Sequence, residues 1–233
     1  MNKGKEINLN TELKNVPLFS ALNEKQLDML YKVGTVKKFA KGYTVVRQGD
    51  PGDIFYIVVS GVVKVTLFNK DGKEIVLSVL KSGDFFGELS LLDNEPRSAC
   101  VIVVEDASLF MLTRNSFYDL ITTQTDILKK VLKEICSRLR HADEKIESLA
   151  FLDVYGRTVR VLQQLAHDQG VKVENTVEIQ HAPTHQELSN IVGTSRETIS
   201  RIITLLKGNK NLVSYKGRTV ILREVSSEPS PDS

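Results

Sequence analysis

The 233-residue sequence predicts an α+β protein: a barrel of short antiparallel strands, then one long helix, then a C-terminal domain with a helix-turn-helix and a final β-hairpin. Three observations predict this fold. Short β-branched runs separated by glycines extend from Val33 to Leu112, and apolar residues at helical spacing follow from Ile121 to Leu149. Farther along, two short helical patterns flank Gly193. The length suits two domains, each able to bury its own core.

The composition is that of a folded globular protein, with 41% hydrophobic and 26% charged residues, and excludes general disorder. No apolar run reaches the ~20 residues of a membrane helix, and the first ten residues contain no secretory signal. We therefore expect a cytoplasmic protein with no membrane partner. Cys100 and Cys136 form no CxxC pair, so we expect buried thiols rather than a disulfide framework, a zinc site or an iron–sulfur cluster.

The net charge of +2 is unevenly distributed along the chain. Residues 154–225 contain ten Lys and Arg against six Asp and Glu, whereas residues 1–153 contain 21 of each sign. Within residues 194–225 alone, seven basic side chains face two acidic ones. A polyanionic partner is therefore expected at the C-terminal end.

The chain divides into four predicted segments. Leading helices and the barrel occupy residues 1–115, the long helix 116–152 and a C-terminal domain 153–225, before a Ser- and Pro-rich disordered tail at 226–233. Within the C-terminal domain the pattern predicts short strands at 171–180, helices at 155–167, 184–192 and 195–207, and a hairpin turning at Lys216-Gly217.

Two helix starts are predicted from capping residues. Asn23 or Ser20 can cap a short helix within residues 16–32, and Asp153 can accept the free N–H groups at the start of the helix over 155–167. We place the hinge between the domains at Asp153.

The long helix carries one apolar stripe, broken only at Thr125. Its members recur at steps of three, four and seven: Ile121, Leu128, Leu132, Ile135, Leu139, Ala142, Ile146 and Leu149. A helix lying on its own barrel would explain part of this pattern. The stripe spans several heptads and would cover more than one face of the barrel, which favours a parallel dimer helix.

The densest motif runs from Phe85 to Leu92 and is followed by Arg97, nine residues after Glu88. A glycine at the start of a short helix, here Gly87, lets backbone N–H groups approach an anion, and a guanidinium neutralises it through two hydrogen bonds. A carboxylate beside such a site would accept a hydrogen bond from a ligand hydroxyl such as a ribose 2′-OH. From residue types alone, Glu88 and Arg97 are equally well explained as a surface ion pair.

The segment FGELSLLDNEPRSA closely resembles the phosphate-binding cassette of cyclic-nucleotide-binding domains, and the upstream glycines and leading PLF match the jelly-roll barrel of that family. The resemblance implies a backbone cradle at Gly87, Leu89 and Ser90, a ribose contact at Glu88, and cyclic-phosphate contacts at Arg97 and Ser98.

Residues 184–207 have the spacing of a helix-turn-helix, with a turn at Gly193 and a second helix opened by Thr194 or Ser195. Eight apolar residues are expected to hold the two helices together: Leu188, Ile191, Val192, Ile199, Ile202, Ile203, Leu205 and Leu206. The residues left exposed are Arg196, Glu197, Ser200 and Arg201. In the major groove, arginine can donate hydrogen bonds to guanine and glutamate can accept one from cytosine. The alternative interpretation is that these charged residues only form the solvent-exposed face of the helix.

This segment resembles the winged helix-turn-helix of the bacterial cyclic-AMP receptor/fumarate–nitrate regulator family, with SRETISR at the recognition helix. The run SLAFLDVYGR resembles the cyclic-AMP receptor branch in particular. The resemblance implies that Arg196, Glu197 and Arg201 read a TGTGA-like half-site. It implies phosphate contacts at Thr184 and Thr198 and a backbone-binding wing around Tyr215, Lys216, Gly217 and Arg218. We expect Ser200, on the exposed face, and Ser195, at the helix start, to contact DNA as well.

At one place the chain departs from the cyclic-AMP receptor branch. Where that branch offers a Thr-Ser pair to the adenine, this chain has Ala142-Asp143. The Asp143 carboxylate can accept one hydrogen bond from the adenine amino group or two from guanine. We therefore favour cyclic AMP as the allosteric effector, with Ala142 and Asp143 near its base, and keep cyclic GMP as the alternative.

Other chemistries find little support in the sequence. The first histidine, His141, follows the barrel, so no haem is expected there, and His167, His181 and His185 show no metal-ligand spacing. No nucleophile–base motif indicates an enzyme.

The predicted function is a homodimeric, cyclic-nucleotide-responsive transcription regulator that binds palindromic double-stranded DNA, with RNA polymerase as a candidate partner. The same fold acting without a nucleotide, or as a regulatory subunit on a protein partner, is the alternative. The helix-turn-helix argues against a regulatory subunit because a docking module has no need of Arg196, Glu197 and Arg201.

Overall fold

The computed structural model describes residues 13–14, 16–174, 176–208, 212–216 and 218–223. The chain forms two compact units, Met1–Arg140 and His141–Ser233. This division falls inside the long helix, whereas the sequence predicts a hinge at Asp153; the four-segment division stays a prediction. None of the described helices is both long and apolar enough to cross a membrane. The predicted tail at 226–233 lies outside the described residues.

The first unit begins with a 3-10 turn at Pro17–Phe19 and helix α1 at Glu24–Val33. Asn23 caps α1 because its side chain accepts from the backbone N–H of Gln26, which confirms one of the two predicted caps. Six strands follow, with the short helix α2 (Glu88–Leu92) before the last: β1 Thr35–Phe39, β2 Thr44–Val46, β3 Ile54–Phe68, β4 Glu74–Leu80, β5 Phe85–Phe86 and β6 Cys100–Thr113.

All strand pairs in this unit are antiparallel. The main path runs β1-β6-β3-β4, with β2 pairing with β6 and β5 with β3. Alternate residues of β3 and β6 enter the core, among them Phe55, Ile57, Phe110 and Leu112, which are at most 1% exposed. The predicted fold class of the N-terminal domain is confirmed, and β5 and α2 lie where the sequence places the FGELSLL motif.

The helical stretch after the sheet is not continuous from Ser116, as the sequence predicts, but breaks at Gln124. Helix α3 spans Arg114–Thr123 and α4 spans Thr125–Phe151. Both Ile121 and Ile127 are buried in one core. Six residues turn an unbroken helix by about 240°, so one continuous helix would point these side chains to different faces. Ile121 therefore belongs to α3 and not to the stripe.

The rest of the stripe lies along α4. Ile127 and Val131 bury one face of α4 against the barrel, with Leu128 and Ile135 half-buried beside them. The remaining large apolar members are exposed: Leu132 at 50%, Leu139 at 63%, Ile146 at 64% and Leu149 at 61%. The helix thus packs on its own barrel along one face and presents an apolar stripe on another.

The second unit continues with α5 at Val154–Gln169, capped by the Asp153 side chain on the backbone N–H of Gly156 as predicted. The remaining elements are β7 Gly170–Val173, β8 Thr176–Gln180, α6 His185–Val192, α7 Arg196–Gly208, β9 Leu212–Lys216 and β10 Thr219–Arg223. The strands form one antiparallel sheet in the order β7-β8-β10-β9. Ile179, Leu188, Ile199 and Val220 are fully buried in the core of this unit.

Two sequence expectations about burial are wrong. Leu205 is 57% exposed, because Ile202, Ile203 and Leu206 already fill the buried face of α7. The thiols are not buried either. Cys100 is partly exposed, and Cys136 is exposed on α4.

Candidate functional site

The short helix α2 is opened by Gly87, whose backbone is left-handed at φ 86°. An added Cβ there would lie 2.6 Å from Nη1 of Arg97 and 2.9 Å from the Ile54 carbonyl oxygen. Only glycine combines that dihedral with so close an approach. Glycine therefore lets the Arg97 guanidinium and the Ile54 carbonyl group pack directly against the start of the helix.

Arg97 is a buried cation, 6% exposed. Its Nη1 donates to the Gly87 carbonyl oxygen at 3.0 Å and its Nη2 to that of Ile54 at 2.7 Å. The guanidinium also lies 5.8 Å from the ring centroid of Tyr56. Burial lowers the pKa of Arg97, since the charged form loses hydration.

No carboxylate neutralises this cation among the described residues. Its acidic neighbours Asp53 and Glu88 pair with other arginines, Arg114 and Arg138. A buried charge that contacts only neutral carbonyls is costly unless an anion joins it. Arg97 is thus suited to bind an anionic ligand, and the interpretation of Glu88 and Arg97 as a surface ion pair is wrong.

Glu88 is 2% exposed, and its two carboxylate oxygens differ. Oε1 accepts from Nη1 of Arg138 at 3.0 Å. Oε2 is buried and has no hydrogen-bond partner among the described residues. Burial raises the pKa of Glu88, and the Arg138 charge opposes that rise. An unpaired buried oxygen calls for a donor, and a ligand hydroxyl would satisfy it.

Arg138 is a site residue that the sequence analysis did not identify. Its Nη2 donates to the Phe85 carbonyl oxygen at 2.6 Å, its Nε to Glu134 at 3.1 Å, and its guanidinium lies 5.0 Å from the Phe85 ring centroid. The sequence does contain a pattern that could have identified Arg138. It follows the buried Val131 by seven residues, so the two side chains lie on the same face of the helix. A charge on the buried face of a helix requires a partner.

The remaining predicted ligand residues fall into two groups. Leu89 and Ser90 lie on α2, exposed and buried respectively, and Ser98 is exposed next to Arg97. The structure therefore brings Gly87 to Ser90 together with Arg97. Ala142 and Asp143 are exposed on α4 in the second unit, and their predicted contact with a base stays a prediction.

The second candidate site is the helix pair α6 and α7. Thr184 caps α6 in a capping box with Glu187, so the Thr184 hydroxyl lies at the helix start. Gly193 turns the chain with φ 77°, and Thr194 N–H donates back to the Ser189 carbonyl oxygen at 3.0 Å. The Ser195 hydroxyl then accepts from Thr198 N–H at 3.2 Å and opens α7. The predicted helix-turn-helix is confirmed.

The first turns of α7 present Arg196, Glu197 and Arg201 to solvent. The pKa of Glu197 is lowered, first because its carboxylate accepts from backbone N–H at the helix start, then by Ser195 and both arginines. The hydroxyl of Ser200 is half-buried and hydrogen-bonded to Nδ1 of His185 at 3.0 Å. Of the predicted base-reading face, the three charged side chains are exposed, whereas Ser200 is hydrogen-bonded to His185 of α6.

The wing is the antiparallel pair β9 and β10, where Lys216 pairs with Thr219. The Tyr215 hydroxyl donates to the Pro183 carbonyl oxygen and so fixes the wing beside the start of α6. Burial raises the pKa of Tyr215 to about 12. Arg218 lies 3.8 Å from Glu187 and is otherwise exposed. Gly217, predicted at the turn, lies outside the described residues.

Two family models match the chain. Residues 36–124 match the cyclic nucleotide-binding domain, and residues 156–226 match the Crp-like helix-turn-helix domain. The cAMP-activated global transcriptional regulator CRP of Salmonella typhimurium is 36% identical over 195 residues, covering 80% of this chain and 89% of that protein. The chain belongs to the CRP/FNR family of transcription regulators.

Other members of the CRP/FNR family agree with this assignment. The CRP-like cAMP-activated global transcriptional regulator of Mycobacterium tuberculosis is 30% identical over 186 residues, covering 80% of this chain and 83% of that protein. The c-di-GMP responsive global regulator CLP of Xanthomonas campestris has a similar structure, with a TM-score of 0.76, 26% identity and coverage of 87% of this chain and all of that one. The predictions of a transcription regulator, and of no enzyme, are confirmed by this membership.

Proposed function

We propose that this CRP/FNR-family chain is a homodimeric transcription regulator whose DNA binding is controlled by cyclic AMP. One observation carries the proposal. Within the part of the chain that the structure describes, the buried guanidinium of Arg97 has no carboxylate partner, and an oxygen of its buried acidic neighbour Glu88 has no donor. A cyclic phosphate would supply the missing anion and a ribose 2′-hydroxyl the missing donor, and a cyclic nucleotide carries both.

Cyclic AMP is the effector we favour among the cyclic nucleotides. The relatives from Salmonella typhimurium and Mycobacterium tuberculosis are named as cAMP-activated, which supports this choice, whereas CLP is named as c-di-GMP responsive. A contact between the Asp143 carboxylate and the adenine amino group would take the place of the Thr-Ser pair of the cyclic-AMP receptor branch. Guanine offers two donors to the same carboxylate, so cyclic GMP is the competing ligand.

Titration calorimetry tests this assignment with four ligands: cyclic AMP, cyclic GMP, cyclic di-GMP and linear 5′-AMP. We expect cyclic AMP to bind most tightly and 5′-AMP to bind weakly. Asp143→Ala should change the ratio of the affinities for cyclic AMP and cyclic GMP and leave the phosphate contribution intact. Tighter binding of a guanine ligand would transfer the effector role to it, and no binding of any cyclic ligand would refute nucleotide control.

The DNA-binding half of the proposal rests on α7. Arg196, Glu197 and Arg201 are exposed at its first turns, with Thr184 and Thr198 at the two helix starts. Arginine fits the O6 and N7 atoms of guanine and glutamate fits the N4 amino group of cytosine, which suits a TGTGA-like half-site. Because this regulator acts on DNA, we place it in the cytoplasm.

The homodimer rests on the exposed stripe of α4. Leu132 and Leu139 are 50% and 63% exposed, and they lie seven residues apart with Ile146 seven farther on. An apolar stripe at this repeat is stabilised by an identical parallel helix, which covers it. Two recognition helices related by the dimer axis would then read half-sites about 34 Å apart, as a palindrome requires.

Fluorescence anisotropy on a labelled TGTGA palindrome tests whether cyclic AMP controls DNA binding. An effector typically couples to a second site by about 1–3 kcal/mol, so the free protein should bind the operator weakly and saturating cyclic AMP should raise its affinity about 5- to 150-fold. A scrambled duplex of the same length is the control. Equal affinity with and without nucleotide would show that the fold acts on DNA without this effector.

A further inference from the structure

Arg114 lies at the junction of β6 and α3 and makes four side-chain contacts. Its Nε donates to Asp53 at 3.1 Å, its Nη1 to the Leu91 carbonyl oxygen at 3.0 Å, and its Nη2 to the carbonyl oxygens of Gly52 and Ser90 at 2.9 and 3.1 Å. All of these acceptors lie on two segments, the loop before β3 and the helix α2. The planar fork of arginine presents donors in several directions at once, so one side chain bridges both segments.

The two bridged segments form the walls of the proposed nucleotide site, because α2 begins at Gly87 beside Arg97 and the loop is hydrogen-bonded to the Arg97 backbone. Ser90 and Leu91 are in the last turn of α2, whose carbonyl oxygens have no partner within the helix. The loop is bonded to Arg97 on both sides, because Gly49 N–H donates to the Arg97 carbonyl oxygen and Arg97 N–H donates to that of Asp50, each at 2.9 Å. Arg114 therefore connects the helix that opens at Gly87 to the loop that holds the Arg97 backbone.

The loop and α2 are closely packed against each other. A Cβ added to Gly52 would lie 2.4 Å from Cβ of Ser90 and 2.9 Å from Nε of Arg97. Backbone of the loop thus lies directly against α2 and the phosphate-binding guanidinium. A small shift between the walls would move Arg97 relative to the helix start, and charged hydrogen bonds lose strength quickly when their geometry is distorted.

We propose that Arg114 is a positioning residue of the cyclic-nucleotide site, which fixes the Arg97 guanidinium against the N-terminus of α2 without touching the ligand. This inference rests on the proposed function of the same site. Burial is the main cause of the lowered pKa of Arg97, and the Arg114 charge lowers it further, so Arg114 adds positive potential behind the phosphate. Positioning and charge are separable, because lysine keeps the charge and loses the fork.

The test uses the full-length protein and titration calorimetry with cyclic AMP. We expect Arg114→Gln to weaken nucleotide binding about 10- to 100-fold, since several charge-assisted hydrogen bonds that order the site are lost. Arg114→Lys should remain weakened by about tenfold or more if positioning dominates. Two controls should bind like the wild type: Arg47→Gln removes an exposed arginine from the start of the same loop, and Tyr118→Phe removes the other side-chain donor to Leu91.

A second measurement separates positioning from general loss of stability. The two phosphorothioate diastereomers of cyclic AMP place sulfur on one or the other exocyclic position, so the ratio of their affinities reports the geometry around the phosphate. We expect this ratio to move toward one in Arg114→Gln and Arg114→Lys and to stay at the wild-type value in both controls. At saturating nucleotide the measurement is made on folded protein even where a variant is destabilised.

The outcomes are distinct. Wild-type affinity and an unchanged diastereomer ratio in both Arg114 variants would overturn the positioning role while leaving the proposed function in place. Full rescue by Arg114→Lys would assign the effect to charge and would also overturn it. Failure of the wild type to bind any cyclic nucleotide would overturn the proposed function, and the positioning role with it.

Discussion

Oε1 of Glu88 and Nη1 of Arg138 lie 3.0 Å apart, and this ion pair joins the short helix α2 to the long helix α4 across 50 residues of sequence. The carboxylate is buried while the Arg138 side chain is 30% exposed. One carboxylate thus contacts the helix that carries the apolar stripe and, in the proposed function, would also contact the nucleotide. A ligand that bonds to Oε2 would act on the same group that holds α4.

Arg138→Gln should destabilise the protein. Removing one partner leaves the Glu88 carboxylate buried without a cation, which we expect to cost about 1–3 kcal/mol, since Arg138 is partly solvated. Urea unfolding measures the change. Glu134→Gln is the control, because it removes the other, more exposed acidic partner of Arg138 and should cost less than about 1 kcal/mol. A larger loss in the control would show that Glu88 depends little on Arg138.

Arg97→Ala should weaken nucleotide binding by about 2–5 kcal/mol, because the buried phosphate would lose its cation. Arg97→Lys should restore part of the affinity, since a point charge replaces a two-pronged contact. Calorimetry gives both values, and near-UV circular dichroism checks the fold. Unchanged affinity in Arg97→Ala would refute the assignment of the phosphate site.

Replacing Leu132 and Leu139 together with Lys should separate the two protomers, because like charges would meet in a desolvated interface. Sedimentation velocity measures the mass. Lys133→Gln, an exposed change on the same helix, is the matched control and should remain dimeric. If the double variant still sediments as a dimer, α4 is not the dimer axis.

Loss of a base contact and loss of a phosphate contact should affect DNA binding in different ways. Arg201→Ala should cost about 1–3 kcal/mol and relax the preference at one half-site position. Lys216→Ala should weaken all sequences about equally and reduce the salt slope by about 1. Gel-shift titrations on a TGTGA palindrome and its single-base variants, at two salt concentrations, distinguish the two patterns. Full discrimination at every position in Arg201→Ala would contradict the recognition-helix assignment.

Stability should fall as the pH drops below about 6.5 because of His185. Burial lowers its pKa from 6.5, and the charges of Arg196 and Lys207 lower it further. The unfolded chain therefore takes up the proton first, so stability is full above pH 6.5 and decreases toward the folded pKa. Unfolding at pH 7.5 and 5.5 measures the loss. His185→Asn keeps a donor for Ser200 and should reduce the loss; His181→Asn, at an exposed histidine, should not.

Local chemistry is sufficient to place several features from the sequence. Asn23, Asp153 and Ser195 cap helices through side chains three residues from their partners, a distance that sequence spacing encodes directly. Gly87 and Gly193 likewise occupy left-handed turns that only certain residues tolerate. The turn at Gly87 and the start of the recognition helix are therefore predictable from local residue patterns, whereas the cassette is identified by its resemblance to cyclic-nucleotide-binding domains.

Long-range chemistry is not predictable in the same way. Arg138 and Arg114 reach acidic partners 50 and 61 residues away, and no local pattern records such pairs. The break at Gln124 depends on a core that both Ile121 and Ile127 enter, which is a property of the assembled barrel. Burial of individual residues on an amphipathic helix, as at Leu205, also depends on how much core remains to be filled.

In the proposed function, Oε2 of Glu88, which has no hydrogen-bond partner among the described residues, would make the site selective for the sugar as well as for the phosphate. A deoxyribose ligand would fill the same space but leave that oxygen buried and unmatched, as it is in the free protein. The deoxyribose ligand would be rejected because a buried carboxylate oxygen lacks a hydrogen-bond donor, and not because of a steric clash. Sites that hydrogen-bond a ligand hydroxyl discriminate strongly against analogues that lack it. The signal would thereby be insulated from the deoxynucleotide pool that the same cell maintains for replication.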